Sequence, residues 1–253
     1  MKTNLFALLN FIALIYSCKQ ADKVIPAPDS KYLGHIYYSS FCYEYDSTSN
    51  FNYKQPIFYN ASAQFFKSHI SSEAENVGTV MIGNYPIVLD YNGNYNFSST
   101  QCYDSLNIIQ FGKKINFSIS GGGDYAPTFA TVYIPKVIRI YSKNEPNNEH
   151  SKKDSLLITW NPDLNNQTVE ISIEYDGFQS DSTLEQTIYY LDPIIVPDNG
   201  QYTINASEFA TFKQGSWINI TVTRYGNGEM LSNNKWIGIN TKTESQFSRT
   251  IVN

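Results

Sequence analysis

The chain has 253 residues, 42% of them hydrophobic and only 16% charged, below the roughly 25% of an ordinary globular protein. That length holds one large or two ordinary domains, each with a real core. The net charge of −5 is mild and no Lys/Arg run exceeds two, which speaks against a nucleic-acid footprint. Asn, Ser, Thr and 20 tyrosines fill the charge deficit, a composition that favours strands and turns over helices.

Lys2 supplies a short positive start, and Leu5 to Tyr16 follow with Asn10 as the only polar residue. This apolar run is too short to span a bilayer and fits the core of a signal peptide. It closes on Ile15-Tyr16-Ser17-Cys18, with an aliphatic residue three before the cysteine and a small one just before it. That end resembles the bacterial lipobox. The resemblance implies removal of residues 1–17, a diacylglycerol on the Cys18 sulfur and an acyl chain such as palmitate on its amine. One chain anchors only marginally, at about 0.8 kcal/mol per buried CH₂, whereas two or more anchor stably. The next residues, Lys19-Gln20-Ala21-Asp22, resemble the signal that sends Bacteroidota lipoproteins to the outer face of the outer membrane. The implied location is the outer membrane, lipid-anchored, with surface display or a periplasm-facing attachment as the two orientations. Pro26 and Pro28 make residues 18–31 an extended tether, so folding is expected to begin near Tyr32.

Residues 32–130 are expected to form a smaller β domain. Its start packs Tyr37, Tyr38, Phe41, Tyr43, Tyr45, Phe51 and Tyr53 into one short stretch. Of these, Tyr43, Tyr45, Phe51 and Tyr53 are candidates to show rings to solvent, where rings stack on sugars or form protein hot spots. The alternative is that alternate rings fill the core and the rest cover the sheet. With Cys18 lipidated, Cys42 and Cys102 are left as a candidate disulfide outside the cytoplasm. Closing a loop of about 60 residues, it would stabilise by roughly 2–4 kcal/mol.

Strict alternation recurs within residues 131–253. Val169, Ile171, Ile173 and Tyr175 share one face, as do Ile218, Ile220 and Val222. Period two over such lengths marks half-buried antiparallel strands. Turns are expected at Asn92-Gly93, Asn161-Pro162-Asp163, Asp198-Asn199-Gly200 and Gly226-Asn227-Gly228. About seven short strands here suit an immunoglobulin-like antiparallel β-sandwich, with Phe209 and Phe212 capping its core. The fold class is thus all-β, with two β domains.

The segments VGTVMIGNYPIVLD, INFSISGGGDYAPTF, PKVIRIYS, LLITWNPDLNNQTVEISIEYDG, VPDNGQYTI and WINITVTRYGNG are similar to a group of Bacteroidota outer-membrane and surface lipoproteins that is itself uncharacterised. The resemblance covers most of residues 77–253. It implies a secreted two-part β architecture and no particular activity.

Catalytic and metal motifs are missing: no HxH, HExxH, GxSxG or CxxC occurs, and Gly121-Gly122-Gly123-Asp124 lacks the Lys-Ser/Thr of a phosphate loop. His35, His69 and His150 are expected at the surface or in loops, and Glu170 and Glu174 on a solvated strand face. No cofactor or metal is expected. The functional expectation is a non-enzymatic binding or structural lipoprotein with a glycan or surface-protein partner. The alternatives are an accessory subunit of an outer-membrane assembly, or a hydrolase built from distant carboxylates.

Four Asp-Ser pairs followed by Thr or Leu resemble the O-glycosylation site of secreted Bacteroidota proteins, at Ser47, Ser105, Ser155 and Ser182. Intact-mass spectrometry of natively expressed protein should show hexose increments that disappear when all four serines are replaced by Ala.

Overall fold

The computed structural model describes residues 31–43, 57–69, 73–90, 92–99, 111–141, 148–176 and 188–253. Their first half forms β1 (Tyr32–Tyr43), β2 (Ile57–Phe65), β3 (Val80–Ile82), β4 (Tyr85–Leu89), β5 (Tyr95–Ser99), β6 (Lys113–Ile119) and β7 (Thr128–Ile134). The second half forms β8 (Glu149–Ser151), β9 (Leu156–Thr159), β10 (Thr168–Asp176), β11 (Ile188–Tyr190), β12 (Ile194–Pro197), β13 (Gln201–Ile204), β14 (Trp217–Ser232) and β15 (Lys235–Val252). One helical turn, α1 (Ala206–Phe209), stands between β13 and β14. The protein is all-β, as its alternation implies.

A single mixed sheet runs β11-β10-β14-β15-β1-β2-β5-β4-β3-β6-β7, with β12 also on β10 and β8 also on β15. Strands β9 and β13 pair apart from it. The alternation sorts side chains as expected. Val169, Ile171, Ile173 and Tyr175 are buried, while Glu170, Ser172 and Glu174 lie on the other face.

Strands β14 and β15 form one long hairpin, paired from Trp217–Thr250 to Ser232–Lys235. With 18 residues β15 spans about 60 Å. The expected turn at Gly226-Asn227-Gly228 is therefore a correction: β14 runs straight through it. The chain reverses at Asn233-Asn234, whose φ values of 45° and 63° are the pair of left-handed residues that a tight hairpin turn needs. The glycines have a packing role. A Cβ on Gly228 would sit 2.2 Å from Val132 Cγ2, and one on Gly226 would sit 2.8 Å from the Tyr133 carbonyl oxygen. Strand β7 crosses β14 at this point, so the sheet curls back on itself. Bonds from Thr128 Oγ1 to the Leu231 carbonyl and from Ser232 Oγ to the Ala126 carbonyl hold the closure.

Two apolar cores lie along the hairpin. The first gathers Ile36, Phe65, Val80, Phe117 and Ile134 with Met230, Ile237 and Ile239. The second gathers Trp160, Ile171, Ile173, Phe209, Ile220, Phe247 and Ile251. Phe209 and Phe212 are buried in the second core, where Phe212 stacks on Tyr175 at 4.5 Å. Two histidines depart from expectation. His35 and His150 are buried, and the His150 ring packs edge-on against Phe209 at 4.9 Å; only His69 is exposed. His35 shares the outer-face phase of Tyr37 and is covered there by the Tyr32 and Tyr37 rings, at 5.7 and 5.9 Å.

Gly228→Ala should destabilise the fold by about 1–3 kcal/mol, because the added methyl overpacks the β7 crossing. Asn227→Ala, on the exposed side of the same strand, should change stability by less than about 0.5 kcal/mol. Urea unfolding of both variants checks the contrast.

Candidate binding face

The strongest polar centre is buried midway along β14. The Arg224 guanidinium meets the Asp198 carboxylate side-on, with Nε 2.5 Å from Oδ2 and Nη2 2.9 Å from Oδ1. Both side chains are fully buried. Arg224 Nη1 also donates to the Lys136 carbonyl at 3.0 Å, and Nη2 to the Asn161 carbonyl. Trp160 Nε1 donates to Asp198 Oδ1 at 2.8 Å. A neighbouring carboxylate, Asp163, accepts from Tyr133 Oη at 2.8 Å, from the Lys136 N–H at 2.9 Å and from the Asn165 N–H at 3.1 Å. Burial alone would raise the Asp163 pKa. The hydrogen bonds from Lys136, Tyr133 and Asn165 and the Arg224 charge outweigh it and hold the carboxyl below its ordinary value. The groups of this centre are tied to one another and shut from solvent, and the centre fixes the 136, 161 and 198 segments to β14.

Solvent meets a different surface, the outer face of β10, β14, β15, β1, β2 and β5. Alternation sends every second residue of these strands there, and register sets them in rows. One row is Glu174, Asn219, Ser248, and the next is Ser172, Thr221, Gln246. Further along come Tyr225, Lys242, Ser39 and Asn60, then Asn227, Asn240, Tyr37, Ser62 and Asn96. Amides and hydroxyls dominate, and Lys242 is neutralised by Glu244. Two large rings stand out of this face: Trp217 is 53% exposed and Tyr225 46%. Tyr225 Oη donates to Glu170 Oε1 at 3.2 Å. Burial first, then the Glu170 carboxylate, push its pKa up to about 12, so the hydroxyl is a firm donor at neutral pH.

Tyr43 ends β1, in register with Gln246 on the edge of this face, while Tyr45, Phe51 and Tyr53 lie outside the described residues. Cys42 pairs through its backbone with Ser245 and Ile57; Cys102 lies outside the described residues, as do Cys18, Ser47, Ser105 and Ser182. Ser155 is exposed just before β9. Glu170 and Glu174 lie on the outer face, as their alternation implies. Tyr225 was not singled out from sequence, although its place three residues after Val222 puts it on the polar side of β14. Among the described residues, no three His, Cys, Asp or Glu side chains come together as a metal site requires. No helix among the described residues is long and apolar enough to cross a membrane.

No protein-family model matches the chain, and no curated protein matches it.

Asp198→Ala should cost about 3–5 kcal/mol, because it strands the buried Arg224 charge. Chemical denaturation at pH 7 measures this. Asp163 gives a pH dependence of known sign. Its folded pKa lies below the unfolded value near 4, so its contribution is complete above that pH and vanishes as pH falls through the folded pKa. Asp163→Asn should therefore flatten the acid limb of a stability profile recorded from pH 6 to pH 2.

Proposed function

We propose that the chain is a lipid-anchored, non-enzymatic binding module of the outer membrane, held by Cys18 and presenting the outer sheet face to a neutral glycan. The observation that carries the reading is the join between sequence and fold. An apolar run ends on Ser17-Cys18, a proline-bearing segment follows, and β1 opens at Tyr32 in the middle of the sheet. The tether thereby enters beside the Asn233-Asn234 turn, and the second core lies at the opposite end of the hairpin.

The face supports the ligand class. Sugars present hydroxyls to hydrogen-bond and C–H faces to stack on aromatic rings. Trp217 and Tyr225 supply rings, Asn219, Ser172, Thr221 and Gln246 supply neutral donors and acceptors, and no uncompensated basic patch lies among them. A surface-protein ligand uses the same anchors less well, because protein hot spots sit in packed pockets rather than on an open row.

The finer fold reading is an immunoglobulin-like sandwich in residues 131–253, whose long hairpin also lends Met230, Ile237 and Ile239 to the core of the first half. Two features support the sandwich. Strands β9 and β13 pair with each other, with Tyr141 bonded to Thr159 alongside, and they share the second core with β10, β14 and β15. At the far end β8 runs parallel to the last residues of β15. The alternative of an accessory subunit that adds strands to a neighbour is less well supported, since β12 is bracketed by Pro193 and Pro197 and its free edge is short.

Cys18→Ala should move the protein from the membrane fraction to the soluble fraction. Retention in the membrane would sink the anchor. On a glycan array, Trp217→Ala with Tyr225→Ala should weaken binding by about tenfold or more, as loss of hot-spot aromatics does. Equal signals from wild type and double variant would move the site elsewhere.

A further inference from the structure

Strands β1 and β15 are neighbours and run parallel, in register from Tyr32–Trp236 to Tyr43–Gln246. The two strands therefore leave the sheet at opposite ends of its long axis, β1 backward at Tyr32 and β15 forward at Val252. Tension between those two points runs along both strands and slides one past the other. In that geometry the bonds of the ladder are loaded together. On the other flank of β1, β2 pairs from Gly34–Phe65 to Cys42–Ile57 and is loaded in the same lengthwise sense. Strand β15 is held in turn by β14 along its whole length and by β8 over Thr250–Val252.

Packing opposes the slide as well. Ile36 and Tyr38 on β1 and Ile237 and Ile239 on β15 are buried on the inner face. A slip of one residue would turn these inward side chains against the wrong partners. At the Tyr32 end the strand is also pinned sideways. Lys31 Nζ lies 2.7 Å from Glu229 and 4.1 Å from the centre of the Trp236 ring, and Tyr32 Oη donates to Glu229 at 2.9 Å.

We propose that the β1–β15 ladder is a mechanical clamp, which makes the fold a load-bearing link between the chain before Tyr32 and whatever pulls on the far end of the sheet. The same molecule is weak in another direction. Lys31 and Lys67 both lie at the Tyr32 end of the antiparallel β1–β2 pair, so tension between them peels the pairs apart one at a time. The strength of the ladder stands by itself; its use against a load from the membrane rests on the anchored reading above.

Single-molecule force spectroscopy on the full chain tests this, with handles on azide-bearing residues at positions 31 and 253, or at 31 and 67. At one pulling speed, the first rupture force in the 31/253 geometry should be at least about twofold that in the 31/67 geometry, since forced unfolding follows the barrier along the direction pulled. Equal or lower force overturns the clamp. A second arm joins Tyr37→Cys to Asn240→Cys, which are register partners across the ladder. Oxidised, this staple should raise or abolish the first 31/253 rupture, and reduction should restore it. A first rupture unchanged by the staple would place the resistance outside this ladder. Neither outcome depends on the fate of Cys18, so failure of the clamp and failure of the anchor are read separately.

Discussion

The fold depends on one buried ion pair. Arg224 sits midway along β14, between the inner-face residues of the first core and those of the second. A guanidinium cannot shed its charge, so burial forces the surroundings to supply acceptors. Asp198 supplies the countercharge, and the Lys136 and Asn161 carbonyls supply the rest. Three chain segments far apart in sequence are thereby fixed to one side chain. A hydrophobic residue of similar volume would give comparable stability. It would not dictate where the 136, 161 and 198 segments stop.

The polar layer also explains why one hairpin serves two cores. Inner-face residues of β15 change from Ile237 and Ile239 to Thr241, Thr243 and Ser245, then back to Phe247 and Ile251. Thr243 Oγ1 bonds the same Lys136 carbonyl that Arg224 uses, and Thr241 Oγ1 bonds the Gly226 carbonyl. Backbone groups where β7 ends and β14 is crossed thus find partners inside the protein. Gly226 and Gly228 let β7 approach closely enough for this to happen.

The alternating strands were legible because period two is a local property. Val169 to Tyr175 and Ile218 to Val222 needed no partner to be recognised. The long hairpin was not legible. Gly226-Asn227-Gly228 carries the composition of a turn, and only the crossing of β7 shows that its glycines are there for lack of a Cβ. The true turn, Asn233-Asn234, has no glycine. Arg224 and Asp198 were invisible for a related reason. Arg224 shares the inward phase of Ile218, Ile220 and Val222, but nothing local names its countercharge, and the partnership with Asp198 is made over 26 residues by tertiary packing. The outer face falls between these cases: the period of β14 puts Trp217 and Tyr225 on one side, but only register brings the rows of β10, β15, β1 and β2 beside them.

Face and axis are linked through β14 and β15. Trp217 and Tyr225 project from β14, and β14 is bonded to β15 over its whole length. A ligand held on those rings therefore passes its pull into β15, and from β15 through the parallel ladder into β1. The antiparallel β14–β15 pair receives that pull lengthwise, so it too is sheared rather than peeled. Had the rings projected from β12 or β13, the same pull would act on strands of four residues at the margin of the fold. In the proposed reading, placing the aromatic rings on a strand of the long hairpin lets a bound ligand load the strongest direction of the molecule.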